Sequence, residues 1–172
     1  MPIHLEPLNQ KDAGPLLQFE LENRAYFEQS VPSRGNSFYH SDTFRSRLET
    51  RLREQAMGQA LYYLIKDSTG TILGRINVTD IEEGRGHLGY RIGESHTGKG
   101  VAKDALKLLI GNLKEKHITE LHAKTTKDNT ASRKVLEKNG FREVETNKET
   151  VELNGQKLTF VCYTRILEGG AE

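Results

Sequence analysis

Apolar and polar residues alternate in several short stretches of the chain, whereas longer stretches carry apolar residues at helical spacing. Over residues 88–92, alternation places Leu88, Tyr90 and Ile92 on one side and predicts a strand with one packed face. From Val101 onward, apolar residues recur at the spacing of a helical face, which predicts a helix. A short turn crowded with glycines lies between the two. The chain therefore passes from strand to glycine-rich turn to helix.

The same patterns predict the other elements of the fold. Further strands are predicted at residues 3–8, 60–66, 72–80, 121–125, 141–150 and 156–167. Three further helices are predicted. The first covers residues 13–23 and is capped by Asp12. The second is capped by Ser41 or Asp42 and ends at about residue 56, and the third begins at Asp128 or Asn129 and ends at about residue 138. Because a helix connects the strand at 88–92 to the strand at 121–125, these two strands are expected to lie parallel. The pattern indicates an α/β chain with a mixed, mostly antiparallel sheet of about seven strands.

The composition favours one domain without a membrane span. The chain has 172 residues, 28% of them charged, and a formal net charge of +1, which gives no electrostatic case for a nucleic-acid partner. Cys162 is the single cysteine, so no intrachain disulfide forms, and no apolar run approaches the ~18 residues of a membrane span. The first residues show no signal-peptide pattern. We expect a cytoplasmic protein without a membrane or nucleic-acid partner, with one domain over residues 1–167 and a flexible tail at 168–172.

The glycine-rich turn has the features of an anion-binding site. Amide N–H groups in the first turn of a helix have no partner within that helix, and the helix dipole is positive there. Glycines let the backbone approach a phosphate closely. Residues 93–100 spell G-x-x-x-x-G-K-G, which differs from the nucleoside-triphosphate loop G-x-x-x-x-G-K-[ST] because Gly100 has no hydroxyl to hold Mg²⁺. A nucleoside-triphosphate site and a tight turn without a ligand are both alternatives.

Two motifs resemble signatures of the GCN5-related N-acetyltransferase (GNAT) family. Residues 97–102, T-G-K-G-V-A, are similar to the loop [QR]-x-x-G-x-[GA] that binds the pyrophosphate of acetyl-CoA, with Thr97 in place of Gln or Arg. The stretch from Asn129 to Phe141 resembles the second signature, N-x-x-[AS]-x-x-x-[YL]-E-K-x-G-F. Residues 22–27, followed by Pro32, are similar to the branch that acetylates ribosomal-protein N-termini, although this chain lacks the tryptophan common before that proline.

The resemblance implies a GNAT fold, with a sheet that splays between its fourth and fifth strands and helices on both faces. In this family, the pantetheine arm of coenzyme A fills the gap and bonds to the backbone as an added strand would. Carried over by position, the cofactor-binding residues are Tyr90, Arg91, Ile92 and Asn129 for the pantetheine arm, and Thr97, Gly98, Lys99, Gly100, Val101 and Ala102 for the pyrophosphate. Lys99, or Arg133 and Lys134, are expected to pair with the phosphates of the coenzyme.

Acetyl transfer to an amine needs a neutral amine, a stabilised oxyanion and a proton for the leaving thiolate. The backbone N–H of Ile92, or of its neighbour, is the candidate oxyanion donor. Many members of the family protonate the thiolate with a tyrosine at the position that is Leu136 in this chain, and leucine cannot do so. Ser132 lies one helical turn earlier on the same face and is the candidate acid or thiolate partner. The alternative is that its hydroxyl bonds to the backbone of its own helix.

The general base is unassigned. Glu82, Glu83, Glu94, His87 and His122 lie near the ends of predicted strands, where each could face the cleft or could be a solvated surface residue. The six histidines show no metal-ligand spacing, so we expect no metal. The absence of a strong base favours either an α-amine, with a pKa of about 8, over a lysine or polyamine amine at about 10.4, or a proton that is relayed by water.

The sequence thus predicts an acetyl-CoA-dependent N-acetyltransferase that acts by direct transfer in a ternary complex. The expected acceptor is a primary amine, either of a small molecule or of a protein N-terminus, with ribosomal proteins as the expectation for this branch. The alternative from another class is a coenzyme-A sensor or partner-binding module that lost catalysis, which Leu136 favours. Two copies of the chain could form a homodimer through the edge of the C-terminal strands.

Overall fold

A computed structural model of the protein describes residues 2–144 and 150–167. Its strands are β1 (Ile3–Pro7), β2 (Leu61–Asp67), β3 (Ile72–Glu82), β4 (Arg85–Ile92), β5 (Glu120–Thr126), β6 (Arg142–Val144), β7 (Thr150–Leu153) and β8 (Gln156–Ile166). Its α-helices are α1 (Ala13–Glu22), α2 (Arg24–Phe27), α3 (Ser41–Ala56), α4 (Val101–Leu113) and α5 (Thr130–Lys138). The predicted order of strands and helices is therefore present.

The strands form a sheet in the order β1-β2-β3-β4-β5-β8-β6, with β7 also paired to β8. β4 and β5 are parallel, and the other described pairs are antiparallel. The predicted mixed, mostly antiparallel sheet is confirmed. Eight strands are described where about seven were expected. The single strand predicted at 141–150 covers β6 and only the first residue of β7, and these two strands pair with different parts of β8. Residues 145–149 between them lie outside the described part of the chain.

β4 and β5 pair at one end and then separate. Their parallel register ends at the pair His87–His122. β4 nevertheless continues along β3 as far as Ile92, and β5 continues along β8 as far as Thr126. The predicted splay between the fourth and fifth strands is therefore confirmed, and the gap begins just after the two histidines.

Helices cover both faces of the sheet, and each face has its own apolar core. One core lies under α4 and α5 and includes Leu106, Leu121 and Leu136. The other lies under α1 and α3 and includes Leu16 and Phe44. Burying each such side chain stabilises the fold by roughly 1.5–3 kcal/mol. The two cores fix the helices on either side of the gap.

The helix N-termini differ in part from the sequence predictions. The side chain of Asp12 does not cap α1, because its carboxylate accepts the Asn9 N–H at 2.8 Å in the 3-10 turn before the helix. At α3, the N-cap position is His40, and neither Ser41 nor Asp42 forms a capping bond. The predicted N-cap position of α1 is therefore confirmed without its capping bond, whereas the predicted cap of α3 is wrong. Beyond the end of α5, Gly140 has a φ of +83°, the left-handed conformation that favours glycine after a helix.

Several expectations stay predictions. Residues 168–172, expected to be a flexible tail, lie outside the described residues, and the domain boundary at residue 167 stays a prediction with them. None of the described helices is both long and apolar enough to cross a membrane. Pairing of two copies at the C-terminal sheet edge, where β6 and β7 lie, also stays a prediction.

Candidate active site

The gap between β4 and β5 opens into a cavity of about 490 Å³. Its walls come from the diverging ends of β4 and β5, the glycine-rich turn, the first turns of α4 and α5, and the segment from α2 to Val31. With the exception of Lys99, every cofactor-binding residue carried over from the family motifs lines this cavity. The fold thus brings together two motifs that are far apart in the sequence.

Backbone amides along the open edge of β4 point into the cavity. The Gly93 N–H donates to the carbonyl oxygen of Leu73 in β3 at 2.8 Å. Since successive residues of a strand turn their N–H groups to opposite edges, the N–H groups of Ile92 and Tyr90 face the gap. The Arg91 N–H points toward β3 instead. The open edge can therefore hydrogen-bond an extended ligand through alternate residues.

The glycine-rich turn leaves the N-terminus of α4 open. Gly98 and Gly100 have φ values of +73° and +80°, a left-handed conformation that favours glycine. Outside the immediate chain neighbours, no described atom lies within 4 Å of the place that a Cβ would take at either glycine. No described side chain caps α4, which begins at Val101. Its first N–H groups are therefore available to a phosphate.

The start of α5 places two polar residues of the second motif in the cavity wall. Asn129 Oδ1 accepts a hydrogen bond from the Ser132 N–H at 3.1 Å, and this bond caps the helix. Both residues line the cavity. The amide NH₂ of Asn129 can therefore donate to a ligand while its oxygen caps α5.

The side chain of Tyr90 reaches Ser132 across the cavity. The two hydroxyl oxygens lie 2.9 Å apart, so a hydrogen bond connects β4 to α5. Burial raises the pKa of Tyr90, although the bond to Ser132 lowers it in part. Tyr90 was predicted for its backbone alone. Alternation placed Tyr90 on one face with Leu88 and Ile92, the face that α4 and α5 cover, but no spacing in the sequence connects its hydroxyl to Ser132.

This pair bears on the loss of the family tyrosine at position 136. Leu136 lines the cavity and is 1% exposed, so it contributes to the wall and to the core. The hydroxyl of Tyr90 reaches the same helix from the opposite strand, one turn before Leu136. A tyrosine hydroxyl is therefore present at this wall, although α5 itself contains no tyrosine.

The five candidate bases lie outside the cavity wall, which agrees with the second of the two alternatives, that of surface residues. The described residues that line the cavity do not include Glu82, Glu83, Glu94, His87 or His122. The two histidine rings lie 5.7 Å apart at the closed end of the gap. Glu120 and Thr164 contact the two ring nitrogens of His122. His96 does line the cavity, and sequence reasoning did not single it out.

Of the cations expected to pair with phosphates, Arg133 is already bonded to protein groups. Its guanidinium donates to Tyr163 at 2.9 Å, to the Lys127 carbonyl oxygen at 3.0 Å and to Glu143 at 3.1 Å. Lys99 and Lys134 are exposed, and Lys99 lies in the glycine-rich turn. Lys99 is therefore the better placed of these cations to reach a diphosphate there.

The wall opposite the helices α4 and α5 is aromatic. Tyr26, Phe27 and Val31 line the cavity on this side, and the guanidinium of Arg91 lies 4.6 Å from the ring centroid of Phe27. Aromatic rings present a broad surface with little conformational freedom. The segment from α2 to Val31 thus forms an aromatic wall of the cavity, separate from the glycine-rich turn. Within the described residues, no three His, Cys, Asp or Glu side chains group as metal ligands do.

Comparisons with known proteins agree on one family. The family model of the acetyltransferase (GNAT) domain matches residues 3–142. A probable N-acetyltransferase, YjcK, of Bacillus subtilis (strain 168) is 28% identical over 159 residues, which cover 89% of this chain and 87% of that protein. A ribosomal protein uS5-alanine N-acetyltransferase of Escherichia coli (strain K12) is 27% identical over 154 residues, covering 87% of this chain and 79% of that protein.

A solved structure shows the same fold. The ribosomal L7/L12 alpha-N-protein acetyltransferase in complex with coenzyme A superposes with a TM-score of 0.87 at 24% identity, covering 97% of this chain and 95% of that one. The family model spans most of the sequence, and the relatives align along most of their own length. The chain therefore belongs to the GNAT family and is an acetyl-CoA-dependent N-acetyltransferase.

Proposed function

We propose that this enzyme transfers the acetyl group of acetyl-CoA directly to the α-amine of a protein or peptide N-terminus, in a ternary complex. The observation that carries the proposal is the geometry of the cavity. It joins a strand edge with unpaired amides, an open helix N-terminus and an aromatic wall. The first two features fit the cofactor, and the third is a surface against which an acceptor could pack.

The residues of the cavity fit acetyl-CoA. Its pantetheine arm would bond to the open edge of β4 at Tyr90 and Ile92 and to the side chain of Asn129. Main-chain amides from Gly98 to Ala102 would bind the diphosphate, because they form the uncapped N-terminus of α4. Bound there, acetyl-CoA supplies an activated acetyl group whose leaving group is a thiolate.

The Ile92 N–H is the proposed oxyanion donor. It faces the gap from the end of β4, and the Tyr90 N–H is the neighbour with the same orientation. A fixed backbone amide stabilises the negative charge that develops on the carbonyl oxygen during attack by the amine, and it needs no reorientation.

Ser132 is the proposed proton donor to the leaving sulfur. Its hydroxyl bonds to Tyr90, which supports this role over a bond to its own helix. When the C–S bond breaks, the sulfur takes the Ser132 proton, and the Tyr90 hydroxyl can replace it. The attacking amine loses one proton to solvent as the C–N bond forms, and solvent returns one proton to the Tyr90 oxygen, so the proton balance closes.

The acceptor class is supported by chemistry and by relatives. None of the five candidate bases lines the cavity, and an α-amine with a pKa of about 8 is partly neutral at pH 7 without one. One relative is named as a ribosomal protein uS5-alanine N-acetyltransferase. Tyr26 and Phe27 could pack against an extended peptide at the aromatic wall of the cavity.

A thiol-release assay with defined acceptors tests the proposal. Peptides that begin with Ala or Ser are compared with the same peptides blocked at the N-terminus and carrying an internal lysine, and with polyamines, amino sugars and free amino acids. We expect release of coenzyme A with the free N-terminal peptides, and mass spectrometry should place the acetyl group on the α-amine.

Other outcomes distinguish the alternatives. Acetyl-CoA binding without turnover on any amine in the panel supports a coenzyme-A sensor and contradicts the proposal. Turnover with a polyamine, amino sugar or free amino acid but no peptide corrects the acceptor and leaves the acetyl transfer standing. Tight Mg-ATP binding that coenzyme A does not displace supports the nucleoside-triphosphate loop.

A further inference from the structure

Three arginine side chains converge on one buried carboxylate beside the cavity. Glu20 of α1 has a side-chain exposure of 0%. Its Oε2 lies 3.0 Å from Arg75, and its Oε1 lies 3.2 Å from Arg91 and 3.5 Å from Arg34. Among the described residues, Glu20 is the one acid within ion-pair distance of these guanidinium groups. One negative charge therefore faces three positive charges.

Arg75 is sufficient to neutralise Glu20. Its side chain is 5% exposed, so the two form a buried ion pair within the core of that face. Arg91 and Arg34 add two further positive charges and remain 19% and 31% exposed. Burial, followed by the nearby Arg34, lowers the pKa of Arg91 to about 10. An anion arriving from solvent would offset this surplus of positive charge.

Arg91 lies next to the proposed reaction centre. On β4 it stands between Tyr90 and Ile92, whose N–H groups face the gap, and it lines the cavity. Arg91 and Arg34 contact the same oxygen of Glu20, so their guanidinium groups are neighbours. A single carboxylate has two oxygens and can bond to both groups at once.

A hydrogen-bonded loop holds Arg34 near this position. Glu28 accepts from Arg24 at 3.0 Å and from Ser33 at 3.1 Å, and Arg24 also donates to Asn36 at 2.8 Å. These bonds tie together the residues on both sides of Arg34. A loop ordered in advance loses little further entropy when a ligand binds.

We propose that Arg34 and Arg91 bind a carboxylate of the acceptor, so that this enzyme prefers amines with an acidic group close to the reacting nitrogen. The inference rests on the proposed acetyl transfer and specifies its substrate class. Two kinds of acceptor share this chemistry. One is a peptide with Asp or Glu just after its N-terminal residue, and the other is a free amino acid or similar small amino carboxylate.

Matched acceptors test the preference. At saturating acetyl-CoA, kcat/KM is compared for an amidated peptide that begins Ala-Asp and its Ala-Asn counterpart, and for a free amino acid and its carboxamide. We expect the acidic member of at least one pair to be about tenfold better or more, the order of one charge-assisted contact. The pair that shows the difference identifies the peptide or the small molecule as the acceptor.

Variants connect the preference to the arginines. Arg34→Met and Arg91→Met should each reduce the acidic preference to about threefold or less. Arg85→Met is the matched control, because Arg85 lies on the same strand with a side chain that is 64% exposed, and it should retain the preference. Glu20 keeps Arg75 as its partner in both test variants, so both should fold, which circular dichroism checks.

Binding titrations separate this inference from the proposed function. Isothermal titration of the N-acetylated forms of both acceptor pairs into the enzyme with coenzyme A requires no turnover. Tighter binding of an acidic member, lost in Arg34→Met and Arg91→Met, supports the inference. Equal binding and equal kcat/KM within both pairs, or a preference that survives both variants, overturns it. Failure of the enzyme to bind acetyl-CoA would instead overturn the proposed function. The titrations would still show whether Arg34 and Arg91 bind the acidic group.

Discussion

Tyr90 contributes to the candidate site through both its backbone and its side chain. Its N–H faces the gap on the open edge of β4, and its hydroxyl bonds to Ser132 on α5. A strand residue can do both because its amide lies in the plane of the sheet while its side chain stands perpendicular to that plane. One residue therefore links the cofactor edge to the proposed proton donor.

Replacement of Ser132 tests the proposed acid. Ser132→Ala should lower kcat about 10- to 100-fold with little change in KM for acetyl-CoA, since general acid catalysis contributes at least that much. Steady-state kinetics on the best acceptor measure this. Thr130→Ala is the matched control, because Thr130 is exposed on the same helix. Unchanged kcat in Ser132→Ala would remove the proton-donor assignment.

The raised pKa of Tyr90 predicts a pH dependence of stability. Because burial raises this pKa above its ordinary value of 10.0, the folded state holds the proton more tightly than the unfolded state does. The contribution of Tyr90 to stability is therefore complete below about pH 10 and declines as the pH rises further.

Urea unfolding of the wild type and Tyr90→Phe at several pH values checks this. The difference in unfolding free energy between them should be constant from about pH 6 to 9 and should fall above about pH 10. A difference that already declines between pH 6 and 9 would mean that Tyr90 ionises in the functional range, which contradicts its role as a reserve proton donor.

At the scale of elements, the turn before α4 depends on the backbone conformation of Gly100. At a φ of +80°, any residue with a Cβ is strained by roughly 1–2 kcal/mol. Gly100→Ala should therefore shift the first turn of α4 and raise KM for acetyl-CoA about tenfold, with kcat nearly unchanged. Gly111→Ala is the control on the same helix. Gly111 has open space around it and a negative φ, so alanine there should stabilise the helix by up to about 1 kcal/mol.

The two edges of β4 predict different exchange rates for neighbouring amides. Without ligand, the Ile92 and Tyr90 amides face the gap and should exchange quickly, whereas the Arg91 amide faces β3 and should be protected. Addition of acetyl-CoA should slow exchange at the first two and leave the third nearly unchanged. Hydrogen exchange followed by NMR resolves these three amides. Protection of all three in the free enzyme would contradict an open gap.

At the scale of the whole molecule, Glu20 joins α1 to two strands and to the loop after α2. Its carboxylate contacts Arg75 on β3, Arg91 on β4 and Arg34 in that loop. Glu20→Gln removes the buried negative charge and leaves three neighbouring cations, which should cost about 3–5 kcal/mol of unfolding free energy. Chemical denaturation measures this loss. Glu49→Gln, at an exposed position on α3, should change stability by less than about 0.5 kcal/mol.

Much of the fold could be predicted because its signals are local. Alternation over β4 and helical spacing over α4 both depend on nearby residues. The capping bonds predicted for Asp12 and Ser41 are absent. The carboxylate of Asp12 bonds within the preceding turn, and His40 rather than Ser41 occupies the N-cap position of α3. Capping propensity is weak enough for such local packing to override it.

The candidate site could be predicted in part. The residues of the two motifs were found because each motif is a short segment with its own sequence pattern. The bond between Tyr90 and Ser132 and the cluster around Glu20 were missed, since their members come from separate elements and no spacing connects them. The expected phosphate role of Arg133 is disfavoured for the same reason, because its partners lie on β6 and β8 and in the segment after β5.

The sequence by itself determined the elements, the left-handed glycines before α4 and the parallel connection between β4 and β5, because periodicity, backbone sterics and crossover geometry act locally or along the chain. The tertiary structure alone decided where the parallel register ends, which hydroxyl meets Ser132 and which arginines share Glu20. These features arise from packing between distant segments. A buried polar group costs free energy unless it has a hydrogen-bond partner, and no local sequence pattern identifies that partner.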